Sequence, residues 1–292
     1  MITILQSEEI KKCVPMNEKL LPIIEEAFKN LAQGKTTMPP IMRLDIEKYH
    51  GESDVKAAYI DGLDSYAIKI ASGFFNNPKL GIPSSNGLMI LLDSQTGVLK
   101  SVLLDKGYLT DIRTAIAGAI SVKYLSNINC TKAGIIGAGI QAKLQLEAIT
   151  LVRQIKTAYI WARDPTKAKK FIEENKKLKI NFEVCVSIED LIQNSEVVVT
   201  TTPSKTPLIK SDWLKKGLHI TAMGSDAAHK NELDPFIIKQ CDHYIPDSLS
   251  QTKLLGELHH AIKNNIISNN NSYKELGDVI LDTNLGRKTK DD

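Results

Sequence analysis

The chain has no long apolar run, few cysteines, few aromatic residues and almost no excess of charge, and each shortage removes a class of protein. No stretch approaches the length of a membrane span, and the opening MITILQSEEIKKC lacks the apolar core of a signal peptide. A soluble, cytoplasmic protein is therefore expected, with no membrane partner. The four cysteines, Cys13, Cys130, Cys185 and Cys241, lie far apart and form no C-x-x-C, which argues against a zinc site or a disulfide framework and for reduced thiols. Aromatic residues make up 5% of the chain and the net charge is only +3. With no basic stripe interleaved with aromatics, nucleic acid is not an expected partner. Neither a G-x-S-x-G nor a cysteine–histidine pair points to nucleophilic catalysis. His259 and His260 are neighbours that point in different directions on a helix, so they are taken as packing residues and no metal is assigned.

What is present fits an ordinary globular protein: 292 residues, 42% hydrophobic and 24% charged, enough for two domains. The most informative stretch is TKAGIIGAGIQAKLQLEAI, Thr131 to Ile149. A short apolar run, Ala133 to Ile136, leads into Gly137 and Gly139, which supply a tight turn and close backbone approach. Ala142 takes the third, helix-packing position of a G-x-G-x-x-G/A fingerprint, and Ala142, Leu146 and Ile149 share a helix face. The helix start offers unpaired N–H groups and a positive dipole end to an anion. A dinucleotide site is expected here.

Upstream, Leu20, Ile24, Ala27, Phe28 and Leu31 have the spacing of an amphipathic helix over Met16 to Leu31, stopped near Gly34 and expected to pack on a sheet. From Met38 to Asp105, short β-branched and apolar runs alternate with turn residues, including Asp61-Gly62 and Thr96-Gly97. They predict a largely antiparallel sheet with hairpins. A helix over Asp111 to Leu125, with Thr110 as its cap, should lead into the second domain. After Thr131, strands at Thr157–Trp161, Phe182–Val186, Val197–Thr201 and His219–Met223 alternate with helices at Pro165–Lys177 and Ile188–Asn194, the rhythm of a parallel sheet wound with helices. A last helix is expected over Ser248 to Asn264. The expected fold class is α/β: an N-terminal α+β domain over residues 1–115 and a Rossmann-type doubly wound parallel sheet over 116–292.

Several charged groups are candidates for chemistry. Lys69 lies in SYAIKIASG with Ala67 and Ala71 on its face, which leaves room for a ligand around a long cation; a solvated strand face is the other reading. Arg43, in PPIMRLD, is similar. Arg113 in TDIRTA would fall in a first helical turn, where the dipole disfavours a cation, so either an anionic ligand or an acid such as Asp111 holds it. Asp226 follows the strand HITAM at the end where parallel sheets place ligands, as an acid or base or as a cap or turn former. At the end of the second strand of the fingerprint, YIWARDP, Ala162 stands where an acid would meet the ribose hydroxyls. Arg163 follows and could meet a 2′-phosphate, which favours NADP(H) over NAD(H), although Asp164 could still serve NAD.

Taken together, MPPIMRLD, VKAAYIDG, KIASGFFNNPKLGIPSSNGLMILLDSQTG, LLDKGYLTDIRTAIAGA, IIGAGIQAKLQLEAI, TTTPSKTPLI, HITAMGSDAAHKNELDP and GELHHAI resemble the ornithine cyclodeaminase/mu-crystallin family over nearly the whole chain. The resemblance implies a homodimer with an N-terminal substrate and dimerisation domain and a Rossmann domain. It implies that Arg43, Lys69 and Arg113 hold the substrate carboxylate, with Arg113 near the nicotinamide, and that Lys69 and Asp226 are the catalytic acid/base candidates. Ser84, Ile140, Gln141, Thr201, Thr202, Ala222, Met223 and Lys230 match positions that line the cofactor. The implied activity is NAD(P)-dependent hydride transfer at the Cα of a small α-amino or α-imino acid, as in ornithine cyclodeaminases, archaeal-type alanine dehydrogenases and imine reductases. The alternatives are an NADPH-dependent ligand-binding protein of the mu-crystallin kind and a structural oligomer with a vestigial site. Where cyclodeaminases carry a glutamate ahead of a Met-Pro pair this chain reads Asp54-Val55-Lys56-Ala57, and beyond KTKDD the resemblance leads one to expect an Ile-Thr segment and a final helix.

Overall fold

Alternation of side chains along Met42 to Leu104 builds five strands of a seven-stranded sheet with two unlike faces. The computed structural model describes residues 2–292, in two compact units: residues up to 16 with 30–113, and residues 17–29 with 114–292. In the first unit β1 (Thr3–Gln6), α1 (Ser7–Cys13), β2 (Thr36–Thr37), β3 (Met42–Ile46), β4 (Gly51–Ile60), β5 (Ser65–Phe74), β6 (Ser85–Asp93) and β7 (Leu99–Leu104) follow in order. The sheet runs β1-β7-β6-β5-β4-β2, and β3 also pairs with β4. Every pairing is antiparallel except β1 with β7. Both expected hairpin turns form: Gly62 and Gly97 take positive φ, and the Asp93 carboxylate accepts from the backbone of Gln95 and Thr96. β1, α1 and β2 are too short to leave a periodic signal, and the sequence reading passed over them.

Because opposed residues in a pair share a face, the register sorts the side chains. Arg43 opposes Asp54, Lys56 opposes Lys69, and Lys69 opposes Met89, so one face carries Arg43, Glu52, Asp54, Lys56 and Lys69. The other carries Ile4, Met42, Leu44, Val55, Ile68, Ile70, Leu88, Ile90 and Val102.

The second unit contains α2 (Leu20–Ala32) for most of its length, then α3 (Tyr108–Leu125) from Thr114 onward. The buried Glu25 of α2 accepts a hydrogen bond of 2.7 Å from Lys123 on α3. There follow β8 (Lys132–Ile136), α4 (Ile140–Thr150), β9 (Thr157–Trp161), α5 (Pro165–Asn175), β10 (Asn181–Val184), α6 (Ile188–Asn194), β11 (Val197–Thr200) and β12 (His219–Ala222), then α7 (Phe236–Gln240), α8 (Leu249–Thr252), α9 (Glu257–Lys263) and α10 (Leu276–Leu281). The five strands are all parallel, in the order β10-β9-β8-β11-β12. One face buries Ala133, Ile135, Ala158, Ile160, Val197 and Val199 with residues of α3, α4 and α5. The opposite face buries Ile136, Tyr159 and Val198 with residues of α6 and α7. This is the doubly wound arrangement expected for the second half.

Two helices differ from their expected bounds. α3 begins three residues earlier than Asp111, so Thr110 lies inside it and is no cap. Asp105 does that work: its carboxylate accepts from the Leu109 N–H at 2.8 Å, across a turn in which Lys106 and Gly107 have φ of +57° and +87°. Arg113 consequently sits in the second turn, and the dipole argument for an anion there lapses. The single helix expected over Ser248–Asn264 is two, α8 and α9, divided at Gly256, whose φ of +84° no helix tolerates.

Candidate active site

The dinucleotide fingerprint folds as its sequence requires. β8 delivers Gly137, whose φ is +126° and on which a Cβ would lie 2.4 Å from Thr201 Oγ1; only glycine fits both the conformation and the space. Gly139 precedes the first turn of α4 as its cap, and a Cβ there would meet nothing within 4 Å. Ile140, the first helical residue, is exposed, while Ala142 is fully buried against the sheet. An open backbone at a helix N-terminus, at the switch point where β8 and β11 run side by side, fits a pyrophosphate. Gln141 lies in the first turn of α4, and Thr201 donates to the Ile136 carbonyl through both its N–H and its hydroxyl.

At the end of β9, Ala162 packs against the core and Arg163 is exposed. No carboxylate among the described residues forms an ion pair with Arg163. Asp164 caps α5, its Oδ1 accepting from Thr166 N–H and hydroxyl at 2.9 and 2.7 Å.

At the end of β12, Ala222 is exposed and Met223 half-buried. Asp226 sits beyond it in an irregular segment and caps no helix. Its side chain is 68% exposed and takes a 2.5 Å hydrogen bond from Lys230, whose own side chain is 8% exposed. A lysine buried along its stem and anchored at its tip holds that carboxylate at the carboxyl edge of the sheet. His260 on α9 meets the Lys230 carbonyl at 2.7 Å, and His259 the Lys253 carbonyl at 3.4 Å.

Sequence reasoning missed two residues here. Glu232 is fully buried, and its carboxylate accepts from Thr200 Oγ1 (2.7 Å), Thr202 N–H (2.6 Å), Thr202 Oγ1 (2.7 Å) and Gly224 N–H (2.8 Å). Glu257, at the start of α9, accepts from the Glu232 and Leu233 N–H groups and from Asn231 Nδ2. Burial pushes both carboxyls up, and their donors pull against it. The available signal was Glu257 sharing a helical face with Ala261.

In the first unit, the charged sheet face brings Lys69 under the influence of Arg113, Lys56, Asp54 and Asp105. Burial, then the positive charges of Arg113 and Lys56, push the Lys69 amine down to about 8. Arg43 lies on the same face but is engaged: Glu52 at 2.5 Å, Asp45 at 3.0 Å and Asp54 at 3.6 Å. Although burial opposes its charge, these carboxylates raise its pKa. Asp54 also faces Lys56 at 3.7 Å. Ser84 lies in the turn before β6, its carbonyl accepting from Phe74 N–H. Among the described residues no group of three acidic, histidine or cysteine side chains could hold a metal.

Comparison with known proteins places the chain among characterised folds. A curated relative, the uncharacterized cyclodeaminase y4tK of Sinorhizobium fredii, is 49% identical over 99% of this chain and 88% of its own length. A solved structure of Thermococcus litoralis Δ1-pyrroline-2-carboxylate reductase in complex with NADH and L-proline superposes with a TM-score of 0.93, at 28% identity, covering 100% of this chain and 90% of that one. An archaeal alanine dehydrogenase dimer with bound NAD gives a TM-score of 0.90 at 33% identity, covering 100% of this chain and 88% of that one. The family model described as the ornithine cyclodeaminase/mu-crystallin family matches residues 2–292, and with the fingerprint at β8 and the lysine-bearing sheet face in place, the chain belongs to that family.

Proposed function

We propose that this chain is an NAD(P)-dependent enzyme that moves a hydride at the Cα of a small α-amino or α-imino acid, preferring NADP(H) and working as a homodimer. The observation that carries the reading is the Lys69 site, a half-buried amine among cations with a pKa near 8. A lysine in that state can hold a carboxylate when charged and exchange a proton when neutral. The dinucleotide, when bound, supplies the hydride acceptor or donor.

Arg113 and Lys69 orient the substrate carboxylate by charge-assisted hydrogen bonds, and Arg43 stiffens that face through Glu52 and Asp54. Lys69 takes a proton from the substrate nitrogen in the oxidative direction and returns it in the reductive one. Asp226, held by Lys230, is the second acid/base. Gly137, Gly139, Ile140 and Gln141 receive the pyrophosphate, and Thr201, Thr202, Ala222 and Met223 line the site. The unpaired Arg163, beside an Asp164 whose Oδ1 caps α5, supports NADP(H), whereas the solved pyrroline-carboxylate reductase and alanine dehydrogenase hold NADH and NAD. No helix among the described residues is long and apolar enough to cross a membrane, and the four free cysteines suit a reducing cytoplasm.

The test is a product assay on purified protein, measuring proline, ammonia and net reduced cofactor together, first with L-ornithine and then with pyruvate plus ammonia, iminosuccinate and cyclic ketimines. Turnover of an amino or imino acid with NADPH preferred over NADH is expected. Tight NADPH binding with no turnover on any of them would instead make the chain a ligand-binding protein.

A further inference from the structure

Four donors converge on the Glu232 carboxylate, and all four belong to the two segments that leave the carboxyl ends of β11 and β12. Thr200 and Thr202 come from one, Gly224 from the other. Two of the four are backbone N–H groups that cannot turn away. The approach is close: a Cβ at Gly224 would lie 2.3 Å from the Thr202 carbonyl and 2.6 Å from Glu232 Oε2. Glu232 is in turn held by Glu257, which accepts from its N–H at 2.8 Å, and the Glu232 carbonyl accepts from Leu208 and Ile209 at 2.7 and 3.1 Å. With no solvent exposure, Glu232 touches neither substrate nor cofactor.

We propose that Glu232 is a positioning residue for dinucleotide binding: it fastens the Thr200–Thr202 and Met223–Ser225 segments to one another, and Glu257 on α9 fixes Glu232 in turn. The inference rests on the reading of this end of the sheet as the dinucleotide site. A glutamate suits the task because a carboxylate offers acceptors to all four donors, whereas a glutamine of the same shape must aim its NH2 at either the Thr202 or the Gly224 N–H and leave a buried donor without a partner.

The experiment titrates NADPH and NADH into the full-length wild type and variants by fluorescence, with melting curves alongside. Glu232→Gln is expected to weaken dinucleotide binding by about ten-fold or more, the effect of an orphaned buried donor on the site's floor. Thr200→Val, a milder loss of one donor, should weaken it by about three-fold, and Thr200→Ser, which keeps the hydroxyl, should restore wild-type affinity. Arg153→Met serves as the control for lost stability. Arg153 bonds the Val122, Lys123, Ser126 and Asn127 carbonyls at the end of α3 and none of the groups around Glu232, so it should melt earlier with affinity unchanged. Folded Glu232→Gln that binds like wild type overturns the proposal, as does Arg153→Met losing affinity to the same degree. If Glu232→Gln does not fold, equal affinity of the Val and Ser variants at position 200 overturns it. A wild type that binds neither dinucleotide overturns the functional reading itself and the inference with it.

Discussion

In the proposed reaction Lys69 is the residue on which the chemistry turns, and burial, with the cations Arg113 and Lys56, lowers its pKa. Replacing it with alanine is expected to abolish turnover while leaving dinucleotide affinity within about two-fold, since a charge-assisted contact to substrate is lost and the fingerprint is untouched; equal loss of both would make Lys69 structural. With its amine near 8, amino-acid oxidation should rise through about pH 8, and Lys56→Met, which removes a cation that lowers it, should move that rise to higher pH. The stability consequence has the opposite sense to a salt bridge. The unfolded chain keeps the Lys69 proton to its ordinary value of 10.5 while the fold releases it near 8, so the amine costs stability below pH 8 and the cost fades between pH 8 and 10.5. Lys69→Met should therefore be the more stable protein at pH 7, by about 1–3 kcal/mol, and lose that advantage above pH 10.5, as urea melts at several pH values would show. In the second unit, Arg163→Ala should weaken NADPH by about ten-fold or more and leave NADH nearly unchanged, because the cation proposed to meet a 2′-phosphate is removed; parallel losses would sink the NADP(H) preference. Lys69 drew notice in the sequence because two alanines flank it on its face, a spacing that suits a solvated strand face equally well. Glu232 did not, since a glutamate in NELDP looks like any solvated acid until the loops ending β11 and β12 converge on it.

Among the elements, β8, its glycine turn and α4 were readable because strand, turn and helix carry their requirements locally. Gly137→Ala is the direct check: positive φ and a Cβ 2.4 Å from Thr201 Oγ1 should cost about 2–4 kcal/mol in a thermal melt and reduce dinucleotide affinity with it. The beginning of α3 was misjudged for the reverse reason. Its cap comes from Asp105, behind two residues of positive φ, and nothing in Tyr108-Leu109-Thr110 marks those residues as helical. Gly256 broke the expected last helix because its conformation is demanded by the turn into α9, where Glu257 must face Asn231 and Leu233. α2 carried a sound amphipathic pattern, but periodicity says which face is buried and not against what.

For the whole molecule, the seven-stranded sheet offers a surface for the proposed homodimer. On its aliphatic face Ile4, Met42 and Leu44 are 59%, 57% and 56% exposed, and such a patch on a single chain marks an association surface. Leu44→Glu together with Ile70→Glu is expected to convert a dimer to a monomer in light scattering; a wild type that is already monomeric would refute the assembly. The sheet's hairpins were readable and its two-facedness followed from alternation alone, whereas β1, which adds the parallel edge, was too short to show. The same register separates the aliphatic face proposed for assembly from the charged face proposed for substrate chemistry, with Lys56 against Lys69 on one side and Val55 against Ile70 on the other. Substitutions can therefore tune either property by itself, but inserting or deleting a single residue within β4 or β5 would turn the strand over and exchange cations for aliphatics. In the evolution of such a chain, these two strands can drift in composition but hardly at all in length.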